Sequence, residues 1–194
     1  MIIRRLIKKL RQPAIHWSLG SLLLIGTAIG VVLTISFNAS LHATSTEAFC
    51  LSCHEMKDNP YVMLQNTSHF ENRTGVRPTC SDCHLPREFV PKMIRKVQAS
   101  REVWGHMLGT LETPEKYAAH VPVMKEREIA RMRANDSQEC RNCHDVKQMV
   151  ASLQSVKAQK YHQAEHNNNK TCIDCHAGIA HTPPDQVYEA KTEI

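Results

Sequence analysis

The sequence predicts a mainly α-helical protein with one N-terminal membrane-spanning helix followed by a small helical domain. Three observations predict this class: a long uncharged stretch near the N-terminus, apolar residues at helical spacing in the middle of the chain, and the pattern Cys-x-x-Cys-His, which occurs four times. Aromatic residues are only 5% of the 194 residues, which is few for a core made of side chains alone. The domain is therefore expected to need another source of apolar bulk.

Residues 1–14 form a basic arm, and residues 15–38 are the predicted membrane anchor. The stretch from Trp17 to Phe37 contains no charged residue, and as a helix it would be about 31 Å long, enough to cross a bilayer. The positive arm should stay in the cytoplasm, which places everything after Ser40 outside it, in the periplasm. The competing interpretation is a cleaved signal peptide ending near Leu41-His42-Ala43, although the apolar run is longer than a signal core.

The net charge of +5 comes from the arm alone. The arm contains five of the 24 basic residues and no acidic one, and the remaining 19 basic residues equal the 19 acidic residues. The five are Arg4, Arg5, Lys8, Lys9 and Arg11. A basic excess confined to a short arm argues against nucleic acid as a partner and suits membrane lipid.

The four Cys-x-x-Cys-His motifs use all 8 cysteines. The cysteines are Cys50 and Cys53, Cys80 and Cys83, Cys140 and Cys143, and Cys172 and Cys175. This spacing is the attachment signature of c-type haem, in which two thiols bond the porphyrin and the adjacent histidine binds iron. Zinc sites, a disulfide framework or redox dithiols are the alternatives, but none requires histidine directly after every second cysteine. The motifs therefore predict four covalent haem c groups that fill most of the interior and transfer electrons.

The spacing of the motifs indicates an internal duplication. The first cysteines lie 30 residues apart in the first pair of motifs and 32 apart in the second. His69 lies between the first two motifs and His162 between the last two. We expect two duplicated di-haem units within a periplasmic domain over 39–181, which begins with a short polar linker, 39–48. An irregular tail follows over 182–194.

Two helices are predicted between these units. Pro91 suits the first turn of one helix and Gly109 its end, and the apolar residues between them recur at helical spacing. This helix could present a solvated charged face or lie near the membrane surface. A second helix, rich in charge, is predicted at about 123–135.

Several longer strings resemble the NapC/NirT family of membrane-bound tetrahaem quinol dehydrogenases. These strings are Glu47-Ala48-Phe49-Cys50, Cys53-His54-Glu55-Met56, Arg73-Thr74-Gly75-Val76-Arg77, the segment from Phe89 to Lys96, the segment from Ser137 to His144, Thr171 to His176, and Gly178-Ile179-Ala180-His181. Within the family they look closest to the NapC branch, with the NirT, CymA and NrfH branches as relatives. The resemblance implies that quinol is oxidised at the haem nearest the bilayer and that electrons pass through the other haems to a soluble reductase.

The motifs and the resemblance together imply a set of iron ligands. The motif histidines His84, His144 and His176 are the expected proximal ligands of haems 2, 3 and 4, numbered in chain order. The family positions for distal ligands match His69, His162 and His181. Some members also carry histidine at the place of Arg87, so three distal candidates remain for four haems. His16 and His42 are expected to be interfacial polar residues, and His106, His120 and His166 are unassigned.

The first motif differs because Met56 follows His54 by two residues. In the NrfH branch the methionine of such a pattern binds the iron of haem 1, so either Met56 or His54 is the expected ligand here. Thioether ligation raises a haem's potential, and one face of haem 1 would remain open. The resemblance also places Glu102 and Lys96 at a quinol site, as proton acceptor and hydrogen-bond donor.

The predicted function is oxidation of menaquinol or ubiquinol by an inner-membrane cytochrome that reduces a periplasmic reductase, with nitrate reductase as first candidate. The alternatives are a tethered carrier without its own quinol site and a donor to nitrite or another reductase. A terminal reductase is disfavoured because Cys-x-x-Cys-Lys does not occur. The sequence leaves open the partner reductase, the haem potentials, and whether the protein is a homodimer.

Overall fold

The computed structural model describes residues 3–5, 16–168 and 170–181, with only the backbone described at 164–168. The chain divides into two compact units, Met1–Thr44 and Ser45–Ile194. Most of the basic arm and the expected irregular tail, 182–194, lie outside the described residues. The described part of the chain is mainly helical, as predicted.

The first unit contains one long helix, α1, Leu19–Ala43. Ser18 caps its start, because the Ser18 hydroxyl accepts a hydrogen bond from the Ser21 N–H at 3.1 Å. The helix is long and apolar enough to cross a membrane, with a mean hydropathy of 2.1. It continues past residue 38, where a polar linker was expected. The hydroxyls of Ser40 and Thr44 donate to carbonyls one turn back, at 2.8 and 2.7 Å, so these polar side chains are satisfied within the helix.

The second unit consists of short helices around two longer ones. In chain order they are α2 Glu47–Cys50, α3 His54–Asp58, α4 Pro60–Gln65, α5 Cys80–His84, α6 Phe89–Met107, α7 Pro114–Ala134, α8 Gln138–Arg141, α9 Val156–Asn168 and α10 Cys172–His176, with 3₁₀ turns at Val146–Gln148 and Ala151–Leu153. Helix α2 packs against α5, α5 against α8, and α7 against α10.

The two long helices occupy the predicted region. Helix α6 is followed by Gly109 in the left-handed conformation, with φ +63°, which favours glycine after a helix end. Helix α7 begins well before the predicted residue 123. Thr113 accepts a hydrogen bond from the Lys116 N–H and Pro114 occupies the first turn, which together make a favourable start.

The core of the second unit contains few protein side chains. Among the described apolar residues, Leu64, Met132 and Ile173 are buried, whereas Phe89, Val97 and Trp104 on α6 are exposed. A domain of this size needs a larger apolar interior to be stable. The fold is therefore consistent with a core that a bound macrocycle completes.

Candidate functional site

The second and fourth motifs share one local structure. In α5, the Asp82 carboxylate accepts hydrogen bonds from the backbone N–H and hydroxyl of Thr79, at 2.8 and 2.7 Å. In α10, Asp174 accepts the same two bonds from Thr171, at 2.8 and 2.9 Å. These capping boxes fix one helical turn, which places two cysteines three residues apart on the same side of the helix.

The eight cysteines form no disulfide with one another. Interactions between their thiols instead link the motifs in chain order. A hydrogen bond between Cys50 and Cys80 lowers the pKa of Cys50 to about 7. Burial, together with the negative charge of Cys140, raises the pKa of Cys83 to about 11. The pKa of Cys140 is also raised, by burial and by Cys172. These interactions link the first motif to the second, the second to the third and the third to the fourth.

Each motif histidine faces one histidine from outside the motifs. The ring centres are 6.0 Å apart for His54 and His106, 6.1 Å for His144 and His69, 6.0 Å for His84 and His181, and 6.2 Å for His176 and His162. A metal–imidazole bond is about 2 Å long and the ring centre lies about 1 Å beyond the nitrogen, so two imidazoles on one iron have centres about 6 Å apart. The four pairs have the separation that bis-histidine haem ligation needs.

Hydrogen bonds at Nδ1 orient several of these rings. His84 Nδ1 lies 2.9 Å from Glu128, His162 Nδ1 lies 2.8 Å from Gln154, and His181 Nδ1 lies 3.1 Å from the Pro60 carbonyl. An acceptor at Nδ1 holds the proton there and leaves Nε2 for a metal. Burial, reinforced by His84, lowers the pKa of His181 and so favours the neutral imidazole, the form that can bind a metal.

His69 carries a different signature. Its Nδ1 atom is buried and has no hydrogen-bond partner in the described structure. A buried polar nitrogen without a partner is costly in a protein interior. His69 therefore has a buried Nδ1 that no described protein group satisfies, on a ring whose centre lies 6.1 Å from that of His144.

A partly buried charged network contacts the second motif. Glu128 contacts His84 and also pairs with Arg131 at 2.8 Å and with Arg95 at 3.9 Å. Arg131 extends the network to Glu139 and to the Cys83 carbonyl. Burial alone would raise the pKa of Glu128, but the bonds from His84 and Arg131 hold it well below its ordinary value. The carboxylate that orients His84 is therefore ionised and largely compensated.

The surroundings of the first motif are more open. The His54 side chain is 52% exposed, its Nδ1 lies 3.4 Å from Glu55, and its Nε2 lies 3.3 Å from the Glu112 carbonyl. Met56, the alternative ligand, is 39% exposed. His106 is held more firmly, because its Nδ1 lies 2.8 and 3.0 Å from the two oxygens of buried Glu55.

The two predicted quinol-site residues both lie on α6 but do not meet. Because the two residues are six positions apart, their side chains point about 120° from each other around the helix axis. Lys96 interacts electrostatically with Cys50 of the first motif, and burial lowers its pKa. Glu102 is about half exposed and lies 3.5 Å from Arg95.

Sequence reasoning missed several residues that contact the histidines. His106 was unassigned, and Glu55, Glu128 and Gln154 were not considered. Glu55 lies inside the first motif's own string, which is a signal that could have been used. Glu128 lies 44 residues from the histidine it contacts, and no sequence pattern links them. His166 lies outside the described side chains.

These features define a class: a membrane-anchored c-type cytochrome with covalently bound haem. The model of the NapC/NirT cytochrome c family, N-terminal region, matches residues 12–186, so the chain belongs to this family. It is 50% identical over 180 residues to the denitrification system component NirT of Stutzerimonas stutzeri, covering 93% of this chain and 90% of that protein. The cytochrome c-type protein NapC of Escherichia coli K12 is 48% identical over 184 residues, 95% of this chain and 92% of the other.

The match to TorC of E. coli K12 is partial. It is 38% identical over 184 residues, which is 94% of this chain but 47% of TorC. No solved structure matches the chain. Family membership and the apolar helix α1 agree on a cytochrome anchored in the inner membrane that takes part in electron transfer to periplasmic reductases.

Proposed function

We propose that this chain is a tetrahaem quinol dehydrogenase, which oxidises menaquinol or ubiquinol in the inner membrane and passes electrons to a periplasmic reductase. The observation that carries the proposal is the succession of four imidazole pairs whose attachment cysteines are neighbours in chain order. The arm is placed in the cytoplasm and the domain over 39–181 in the periplasm.

The residues of the chain hold and tune the haems. Eight cysteines would bond the four groups, and His84, His144 and His176 would bind iron on one face of haems 2 to 4. His181, His69 and His162 would bind the opposite faces in that order. Either His54 or Met56 would bind the iron of haem 1. The haem irons, when bound, supply reversible one-electron chemistry.

The quinol site is proposed beside the first motif. Lys96 supports this placement, because it interacts with Cys50 and is partly desolvated, as a donor to a quinol oxygen would be. Glu102 is proposed to accept a proton. Exposed apolar residues of α6, among them Val97 and Trp104, suit contact with lipid or with a quinone ring.

Anaerobic reduction of the detergent-solubilised holoprotein by a quinol analogue tests this proposal, with dithionite as the measure of total reducible haem. We expect Lys96→Met to slow quinol reduction about tenfold, because this variant lacks the donor of one hydrogen bond in the transition state. Lys125→Met, on α7, is the matched control and should behave as the parent. If Glu102→Gln is reduced at the parent rate, Glu102 is not the proton acceptor. If dithionite reduces the parent protein but quinol does not, the protein is a tethered carrier without its own quinol site.

Periplasmic nitrate reductase is the first candidate partner, because the chain resembles NapC over nearly its whole length. A reductase of denitrification is the second, because the relative NirT is described as a denitrification component. Reoxidation of the quinol-reduced protein by each purified reductase, with nitrate or nitrite as final acceptor, separates the two. A homodimer is a further open proposal, which sedimentation in detergent would test.

A further inference from the structure

His106 lies at the first motif and has no role in the ligand set proposed above. The His106 ring centre lies 6.0 Å from that of His54. One ring nitrogen of His106, the Cys53 sulphur and a Glu55 oxygen all lie within 4.8 Å of one another. Because the Cys53 sulphur is an attachment point of haem 1, His106 lies directly beside the position of that haem.

The tautomer of His106 follows from its partner. Glu55 is 4% exposed, and both of its oxygens lie within 3.0 Å of His106 Nδ1. An ionised carboxylate can only accept hydrogen bonds, so Nδ1 must carry the proton and Nε2 must present a lone pair. A carboxylate behind a histidine in this way is the arrangement that orients metal-binding imidazoles.

The His106 side chain is 44% exposed, although its Nδ1 contacts buried Glu55. His120, the next histidine along the chain, instead directs Nδ1 to the Lys116 carbonyl of its own helix at 2.9 Å. His106 therefore combines a fixed Nδ1, proximity to an attachment cysteine and an exposed side chain, and His120 does not share its contact with a buried carboxylate.

We propose that His106 is the second axial ligand of haem 1 and that Glu55 is its positioning residue. Haem 1 is then six-coordinate, quinol does not bind its iron, and electrons reach the haem through its edge. The proposal rests on haem attachment at the first motif and not on quinol oxidation. It holds with either His54 or Met56 on the other face.

Low-temperature electron paramagnetic resonance of the oxidised holoprotein tests the ligand. We expect no stoichiometric high-spin haem in the parent, one high-spin haem of four in His106→Ala, and the parent spectrum in His120→Ala. Added imidazole should return His106→Ala to low spin. A parent that already contains one high-spin haem, or a His106→Ala variant with the parent spectrum, overturns the proposal.

Three further variants keep the test decisive. If His106→Ala does not accumulate with four haems, His106→Met replaces it in the test. This variant should remain low-spin with an altered near-infrared charge-transfer band, and an unaltered band counts against the proposal. Glu55→Leu should leave haem 1 partly high-spin, whereas Glu55→Gln, whose amide oxygen can still accept the hydrogen bond from Nδ1–H, should remain low-spin. Equal spectra for these two variants would remove Glu55 as the positioning residue. Reduction of the parent by quinol is scored separately, so failure of either proposal is recognised independently.

Discussion

The first and second motifs each have a glutamate against a histidine, but the two carboxylates differ in their surroundings. Glu128, at the second motif, is shared between His84 and the guanidinium groups of Arg131 and Arg95. The described side-chain partners of Glu55, at the first motif, are His54 and His106. Compensation by arginine stabilises a buried carboxylate and weakens its field at the iron. The carboxylate at the second motif is therefore compensated by arginine, whereas no arginine among the described residues compensates the one at the first.

The largest expected effect comes from removing the cation of the second-motif network. Arg131→Met leaves Glu128 and the nearly buried Glu139 without their main partner, and we expect the free energy of unfolding to fall by about 3–5 kcal/mol. Arg133→Met is the matched control, because Arg133 is 56% exposed and pairs with Asp174 at the surface of α7. It should cost less than about 1 kcal/mol. Guanidinium unfolding of the holoproteins compares them, and equal losses would contradict the difference between network and surface pair.

The second prediction compares the two carboxylates directly. Glu128→Gln removes a negative charge near haem 2. Because the loss of this charge favours the reduced state, the midpoint potential of that haem should rise by about 30–60 mV. Glu55→Gln should raise the potential of haem 1 by more, because no arginine among the described residues offsets Glu55. Spectroelectrochemical titration of both variants measures the shifts. A larger shift for Glu128→Gln would reverse the comparison.

The third prediction concerns acid stability at the capping boxes. The Thr171 N–H, with help from Arg133 and the Thr171 hydroxyl, lowers the pKa of Asp174 from 3.8 to about 2. A lowered folded-state pKa contributes stability that is fully present above the unfolded value and is lost as pH falls through the folded one. We expect the thermal midpoint of the parent to fall between pH 4 and pH 2, and Asp174→Asn to lack that part of the fall. An identical pH profile would show that this cap does not contribute.

The smallest expected effect lies at the ion pair that joins α2 to the segment before the second motif. Arg77 donates two hydrogen bonds to Glu47, at 2.8 and 2.9 Å, and its guanidinium lies 4.4 Å from the Phe70 ring centre. Both side chains are partly exposed, so Arg77→Gln should cost about 1 kcal/mol or less. Thermal unfolding at low and high salt measures it. A loss of stability as large as that of Arg131→Met would instead indicate that the Arg77–Glu47 pair belongs to a second buried charged network, at the first motif.

Local sequence patterns predicted much of this molecule because their physics is local. The uncharged stretch predicted α1, and Pro91 and Gly109 predicted the position of α6. The motifs predicted covalent haem, which family membership supports. Helix α1 continues to Ala43, past the predicted end of the anchor at residue 38, because serine and threonine hydroxyls bond carbonyls of their own helix and do not interrupt it.

Which histidine faces which motif could not be predicted from spacing. The apparent duplication suggests that His69 and His162 serve equivalent motifs, but His69 faces the third motif and His162 the fourth. These pairs depend on how α5, α8 and α10 pack, and such long-range contacts have no sequence period. His106 was equally invisible, since a single histidine on an amphipathic helix has no pattern until its neighbour Glu55 is placed.

The crossing pairs have a consequence for how the protein is made. His84 faces His181, the last described residue of the domain, and His144 faces His69 from the other half of the chain. On the proposed ligation, haem 2 cannot gain its second nitrogen until the chain has been exported as far as residue 181. A truncation before residue 181 would keep every cysteine of the four motifs and still lack one nitrogen ligand of haem 2.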